Sequence, residues 1–357
     1  MERIEEINQL LMRQVDEKHT PSVQYLFFDG NQIIHQFYSG FADVLTHKKT
    51  TDKTSYNVYS VTKTFTALAV LQLAERNKLD VDQPVIKYLP QFPYTPDITI
   101  RQILAHSSGI PNPVPLNWIH LASEHRLFDR NKFFGPIFKK HNKSKTKPNE
   151  KYTYSNLGYV LLGQLIETVS GVQYEDYVRD NILNPLYITS DEMDFVISGF
   201  SNHAKGYHRS LSFTGLMLGL FINKSKFMGK TEGGWKPFND LYINGTPYGG
   251  LIGNPNALLK YIRDLLRPES KLICDEYKQM LFTENLTNNG YLTGMCLSWF
   301  KGQLKGETYF THAGGGGGYY CEIRIYPGQG VGSLIMFNRS GFSDERFLDK
   351  VDKYFIN

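Results

Sequence analysis

The sequence predicts an α+β fold: a mostly antiparallel sheet built from both termini and flanked by helices, with an all-helical lobe inserted between them. Three observations lead there. Segments rich in β-branched and aromatic residues cluster at 23–38 and recur beyond 293. Between them the apolar residues recur with the period of helices. At 357 residues the chain also exceeds one typical core, so we read two lobes, 1–57 with 285–357 as the sheet and 58–284 as the helical insertion.

Residues 1–18 form a helix that places Ile4, Ile7, Leu10, Leu11 and Val15 on one face. Val23–Phe28, the turn Asp29-Gly30-Asn31 and Gln32–Tyr38 make a hairpin. Ser60 opens an apolar helix that runs on to Leu73, and Gln83–Pro90 is a short helix closed by prolines. Thr99–His106 is another helix, stopped by Ser107-Ser108-Gly109. Residues 110–150 are proline-punctuated, then aromatic, then basic, and the basic run Lys139–Lys147 reads as a solvated loop. Asn156–Ser170 is strongly periodic, with Gly171 in the position of a C-terminal stop. A helix at 256–266 follows, then strands at Thr293–Trp299, Glu307–Thr311, Tyr319–Tyr326 and Val331–Phe337, and a closing helix Asp344–Phe355.

Composition excludes several functions. Hydrophobic residues at 41% against 21% charged are ordinary for a globular protein, and 39 Lys and Arg against 35 Asp and Glu give only +4. That balance argues against a nucleic-acid partner. Cys274, Cys296 and Cys321 are odd in number and lack metal-ligand spacing, and His203 and His208 have no neighbouring ligands, so neither a disulfide framework, a metal nor a cofactor is expected. The amphipathic start Met1-Glu2-Arg3-Ile4 is no secretory signal, and no stretch is long enough to span a bilayer. The expected compartment is the cytoplasm for the chain as it stands, and the periplasm if an export sequence has been removed.

The chemistry begins at Ser60-Val61-Thr62-Lys63. Residues three apart share a helical face, so the Ser60 hydroxyl and the Lys63 amine can share a hydrogen bond. A lysine whose charge is disfavoured by burial can take the serine proton during attack on a carbonyl. The positive end of the helix favours the negative charge that develops there. Taken alone, the same pattern describes a serine cap followed by a solvated lysine.

Two further motifs could complete an acyl-transfer site. Tyr154-Ser155-Asn156 precedes the long periodic helix, where a phenol can shuttle a proton to a leaving group, although Asn156 could instead be the helix N-cap. His312-Ala313-Gly314 opens a glycine run to Gly318 at the end of a strand. Glycines let backbone N–H groups approach a ligand closely, as an oxyanion hole requires. A phosphate cradle would need a P-loop lysine and a following helix, which are missing here.

In order and separation, these three motifs resemble the serine hydrolase family of class C β-lactamases, DD-carboxypeptidases, esterases and D-aminopeptidases. Ile103–Ile110, Tyr154–Tyr159 and Tyr248-Gly249-Gly250-Leu251 resemble segments of the same family. The resemblance implies the β-lactamase/transpeptidase fold with the site between the two lobes. It implies Ser60 as the acylated nucleophile, Lys63 as its proton acceptor and Tyr154 as general acid and base. Asn156 would bind the acyl side of the substrate, His312, Ala313 and Gly314 would line its binding edge, and the N–H groups of Ser60 and Gly315 would form the oxyanion hole.

The expected activity is cleavage of a small ester, amide or peptide through an acyl-enzyme on Ser60. Classical β-lactamases carry Lys-Thr-Gly where this chain has His312-Ala313-Gly314. A histidine there bonds a carboxylate only when protonated, or donates one neutral hydrogen bond, which shifts the expectation away from efficient β-lactam hydrolysis. A DD-peptidase or penicillin-recognising protein is the enzymatic alternative, and a catalytically silent scaffold is the alternative of another class. The segment at about 200–247 has no clear counterpart in the family. Within it, 211–222 reads as buried packing or as an apolar lid able to touch a membrane surface.

Overall fold

The computed structural model describes residues 2–210, 223–341 and 346–356. Seven antiparallel strands form the principal sheet: β1 (Ser22–Asp29), β2 (Ile33–Asp43), β3 (Lys48–Lys49), β4 (Phe300–Leu304), β5 (Glu307–Gly316), β6 (Tyr319–Tyr326) and β7 (Val331–Phe337). Their spatial order is β4-β5-β6-β7-β1-β2-β3, so β1 from one end of the sequence pairs with β7 from the other.

Both faces of β1 are covered, which explains its almost unbroken apolar sequence. Val23, Tyr25 and Phe27 share a core with Ile7 and Leu11 of helix α1 (Glu2–Asp16). Leu26 and Phe28 point into the larger core on the opposite face. The helices there are α2 (Thr62–Glu75), α3 (Ile100–Leu104), α4 (Arg130–Lys140), α5 (Asn156–Ser170), α6 (Tyr174–Val178), α7 (Pro255–Leu266) and α8 (Asp275–Leu281). The short α9 (Leu348–Asp352) returns to the α1 face.

Helix α2 presents no face to solvent: every residue from Thr62 to Ala74 is buried, the polar ones included, and it packs between α5, α6, α8 and the sheet side of the core. Helix α5 is capped at both ends: Ser155 Oγ accepts from Gly158 N at 3.0 Å, and Gly171 takes the left-handed conformation with φ 79°. Helix α7 lies on β1, β6 and β7.

Several elements differ from expectation. Thr293–Trp299 is a loop, because Gly294 and Ser298 hold φ values of 72° and 70°, and the strand begins at Phe300. Its apolar composition reflects the burial of Met295, Cys296, Leu297 and Trp299. The glycine run, expected beyond a strand end, continues β5 itself, paired through Gly316 with Tyr319. The stretch 110–150 contains α4, whose period Gly135 and Pro136 obscured; Phe134 and Phe138, four residues apart, are buried in it. Lys139 and Lys140 close that helix, and 141–147 is irregular.

Gln83–Pro90 contributes only a 3-10 turn at Val85–Lys87, and the closing helix is confined to α9 among the described residues. The inserted segment is not wholly helical. It adds short ribbons, 119–121 with 241–243 and 207–209 with 235–237, and its strand 252–253 pairs on one side with 193–194 and on the other with 56–57 of the first segment. Residues 211–222, read as buried packing or as an apolar lid, lie outside the described residues.

Candidate active site

Ser60 sits on a 3-10 turn, Tyr59–Val61, that runs directly into α2. Ser60 on this turn and Lys63 in the first turn of α2 are three residues apart, which brings their side chains to one face. Tyr59 holds φ 46°, unusual for a residue with a side chain and costing about 1 kcal/mol or more. Neighbouring segments hold the turn in place. Val58 N donates to Leu251 O at 3.0 Å, Leu251 N donates to Thr62 Oγ1 at 3.1 Å, and Thr66 Oγ1 donates to Pro247 O at 2.6 Å.

Lys63 is fully buried. Its Nζ lies 3.1 Å from Ser60 Oγ and donates to Tyr248 O at 2.8 Å. The rings of Tyr154, Tyr248 and Tyr159 surround it at 4.9, 5.2 and 5.5 Å. Burial alone pushes its pKa well below that of an ordinary lysine. The neutral amine so favoured has a lone pair that can accept the Ser60 proton.

Tyr154 Oη donates to Ser60 Oγ at 2.9 Å, from the opposite side of the helix junction. The tyrosine packs against His106, which the sequence placed only at the end of the Thr99–His106 helix. His106 places its ring 4.3 Å from that of Tyr154, and its Nδ1 accepts from Ser155 N at 3.1 Å. Because Nδ1 accepts, the neutral ring carries its proton on Nε2. Burial, with Lys63 and His312 nearby, keeps His106 uncharged.

Asn156 is not the N-cap of α5, since Ser155 fills that position. Asn156 N instead donates to Asn112 Oδ1 at 3.0 Å, and its side chain lines the cleft with Oδ1 buried and unpartnered.

Opposite these groups runs the free edge of β5. Strand β4 pairs with β5 only as far as Phe300 with Thr311, so residues 312–316 have no strand on that side and pack against the Ser60 turn. A Cβ on Gly314 would lie 2.3 Å from Val58 O and 2.6 Å from Ser60 N, so no other residue fits this approach. On Gly315, by contrast, the nearest atom would be 3.8 Å away, and Gly315 is exposed to the cleft. Ala313 is half-buried and pairs in register with Glu322.

His312 is buried at the cleft wall. Its Nδ1 bonds the main-chain carbonyl of Ser298, and its Nε2 has no partner. Burial and the nearby Lys63 amine hold its pKa down, to about 3. Since a carbonyl only accepts, Nδ1 must carry the proton and Nε2 is an acceptor. The sequence expectation that a neutral His312 could donate to a substrate is thereby corrected: Ser298 already takes the one proton.

Ser60, Tyr154, Asn156 and His312–Gly315 thus line one cleft of about 1090 Å³, with Lys63 beneath Ser60. Its lining includes Lys301 and Arg346 but no Asp or Glu among the described residues. Trp118, Trp235 and Trp299 are buried and pack elsewhere. His203 bonds Ser55 and Tyr319, and His208 bonds Ser340. Among the described residues, no group of three or more His, Cys, Asp or Glu is placed to hold a metal ion, and no helix is long and apolar enough to cross a membrane.

Residues 7–353 match the sequence model of the family described as Beta-lactamase. The chain belongs to the β-lactamase family. Among curated relatives of this β-lactamase-family chain is Protein flp of Staphylococcus aureus (strain MRSA252), 24% identical over 364 residues, covering 99% of this chain. The match spans 66% of that relative's length. Solved structures share the fold. The octameric penicillin-binding protein homologue from Pyrococcus abyssi has a TM-score of 0.77 at 24% identity, over 95% of this chain and 74% of that one. The D-amino acid amidase from Ochrobactrum anthropi SV3, complexed with L-phenylalanine amide, has a TM-score of 0.79 at 16% identity, over 99% and 98%.

Proposed function

We propose that the chain is a serine hydrolase that cleaves a small ester, amide or peptide through an acyl-enzyme on Ser60. The observation that carries this reading is the placement of Ser60 Oγ between a buried lysine amine at 3.1 Å and a tyrosine hydroxyl at 2.9 Å. Lys63 takes the Ser60 proton as Oγ attacks the carbonyl carbon. The N–H groups of Ser60 and Gly315 stabilise the oxyanion, which the close approach of Gly314 to Ser60 N supports.

Collapse of the tetrahedral intermediate expels the alcohol or amine, and Tyr154 passes it a proton that Lys63 resupplies. Water then attacks the acyl carbon with Tyr154 and Lys63 acting in reverse. Asn156 binds the acyl side of the substrate, and the free edge of β5 from His312 to Gly314 aligns its backbone. The proposed lobe division, 1–57 with 285–357 and 58–284, puts this cleft between lobes.

A penicillin-recognising activity is the second reading, favoured by likeness to a penicillin-binding protein homologue. The two separate by incubating the protein with benzylpenicillin and with p-nitrophenyl acetate. Ester turnover abolished in Ser60→Ala, with no penicillin adduct by mass spectrometry, supports the hydrolase. A long-lived penicillin adduct without ester turnover supports the second reading. Neither adduct nor turnover would favour the scaffold.

A further inference from the structure

Beside the mouth of the cleft, two segments distant in the chain are tied into one surface by Asn149. Its Nδ2 donates to Leu286 O at 2.7 Å, and its Oδ1 accepts from Asn285 Nδ2 at 2.9 Å. Asn288 N donates to Asn149 O at 2.8 Å, and Asn288 Nδ2 donates to Pro148 O at 2.9 Å. Further along the two segments, Tyr152 and Phe300 line the cleft with their rings 6.0 Å apart.

The first segment is basic. Lys143, Lys145, Lys147 and Lys151 are exposed, whereas Ser144 and Thr146 are half-buried with their hydroxyl oxygens shut off from solvent. Lys145 N donates to Gly109 O at 2.8 Å and Asn149 N to Ser107 O at 2.7 Å, so the backbone is held to the lobe while the lysines stay outside. Lys139 and Lys140 have a simpler reason, the negative end of α4. The four other lysines face two nearby acids, Glu150 and Asp97, which share a shallow cavity with Lys145 and Lys147. Glu284 is already paired with Lys301 at 3.3 Å. This face therefore keeps a net positive charge.

The second segment is apolar at its tip. Leu286 and Leu292 pair across an antiparallel bridge, which sets them side by side, and Thr287 N donates to Tyr291 O at 2.9 Å within the turn. Leu286, Tyr291 and Leu292 are 50%, 72% and 65% exposed. One such residue on a surface is ordinary, but three on one short hairpin beside a row of lysines mark an interaction face.

We propose that this face docks on an anionic lipid bilayer, with the 286–292 hairpin entering the headgroup layer and the lysines meeting lipid phosphates. The leucines gain by leaving water, and a tyrosine suits the boundary between apolar and polar layers. A soluble polyanion would answer the lysines but give the leucines nothing to enter. A neutral apolar partner would leave the lysines without counter-charge. Docking sets the mouth of the cleft at the membrane surface, because Tyr152 and Lys301, which line it, adjoin the two segments. This inference stands apart from the chemistry of Ser60.

Sedimentation of the full chain with vesicles tests it, using phosphatidylglycerol and phosphatidylcholine in equal parts against phosphatidylcholine alone. Binding to the mixed vesicles should be at least about tenfold tighter and should weaken as salt is raised, since each lysine near an anionic surface contributes about fivefold. The combined Lys143→Glu, Lys145→Glu and Lys147→Glu variant should lose at least about a hundredfold. The combined Leu286→Ser, Tyr291→Ser and Leu292→Ser variant should lose at least about tenfold. Turnover of a soluble ester should be unchanged in both. Tyr291→Trp reads insertion directly: its emission should shift to shorter wavelength on mixed vesicles, against Trp118, Trp235 and Trp299, which are buried already. This single exposed change keeps the test available should a triple variant fail to fold. No preference for anionic vesicles, or no shift in emission, overturns the inference. Equal vesicle binding by wild type and the serine variant, with matching binding to soluble polyphosphate, makes the face a polyanion site and overturns it as well. Ser60→Ala should bind vesicles as wild type does, so failure of the hydrolase reading is told apart from failure of this one.

Discussion

The amine of Lys63 donates to the main-chain carbonyl of Tyr248 at 2.8 Å, and this bond aims a fully buried lysine at the Ser60 hydroxyl. The carbonyl holds the amine without neutralising it, and burial lowers the lysine pKa. The sign of the resulting pH dependence is fixed. The base works when neutral, so activity rises as pH climbs through the lowered pKa and is flat above it. We expect kcat/KM for an ester to reach its plateau far below the pH at which an ordinary lysine ionises. Lys63→Arg, which stays charged, should lose at least about a thousandfold with no plateau, as read from kcat/KM between pH 5 and 10.

Tyr154→Phe removes the hydroxyl that donates to Ser60 at 2.9 Å but keeps the ring against His106. Its expected cost is about a hundredfold to ten-thousandfold in kcat, with little change in melting temperature. Stopped-flow and steady-state hydrolysis of one p-nitrophenyl ester, alongside thermal unfolding, check both parts.

Gly314 and Gly315 make a matched pair. Gly314→Ala puts a methyl 2.6 Å from Ser60 N and 2.3 Å from Val58 O, so the turn or the strand must move. At least about a hundredfold loss of kcat/KM is expected, with destabilisation of about 2 kcal/mol or more. Gly315→Ala meets nothing closer than 3.8 Å and keeps its N–H, so less than about a tenfold loss is expected. Equal effects in the two variants would count against the close approach.

Arg130 ties α4 to Glu167 of α5, to Glu175 of α6 at 2.8 Å and to Thr246 Oγ1 at 2.5 Å, just before the Tyr248 carbonyl. Burial raises the Glu167 pKa despite this partner. Arg130→Met leaves two partly buried carboxylates unpaired. The expected loss is about 2–3 kcal/mol by urea unfolding, together with a fall in kcat as the Tyr248 segment loosens.

Much of this site was legible in the sequence because its signals are local. The period of Asn156–Ser170 with Gly171 behind it gave α5 and its end, and the three-residue spacing brought Ser60 and Lys63 together even though their turn is 3-10 rather than α. What escaped depends on distant partners. Tyr248 and His106 stood out only as parts of segments resembling the family, and Ser298 not at all, because they act through a carbonyl, a ring face and a carbonyl, roles that carry no sequence signature. The loop 293–299 looked like a strand because burial and strand formation favour the same residues. The glycine run was placed beyond a strand end because glycines carry no strand signal of their own, and its strand role comes from pairing with Tyr319–Cys321 of β6.

The most direct test of the central claim is the site and pH dependence of fluorophosphonate labelling, followed by peptide mass spectrometry. The account predicts an adduct on Ser60 alone, formed at a rate that rises with pH through one ionisation lying below that of ordinary lysine, and lost in both Ser60→Ala and Lys63→Met. An adduct on another residue, or equal labelling of wild type and Ser60→Ala, would contradict it.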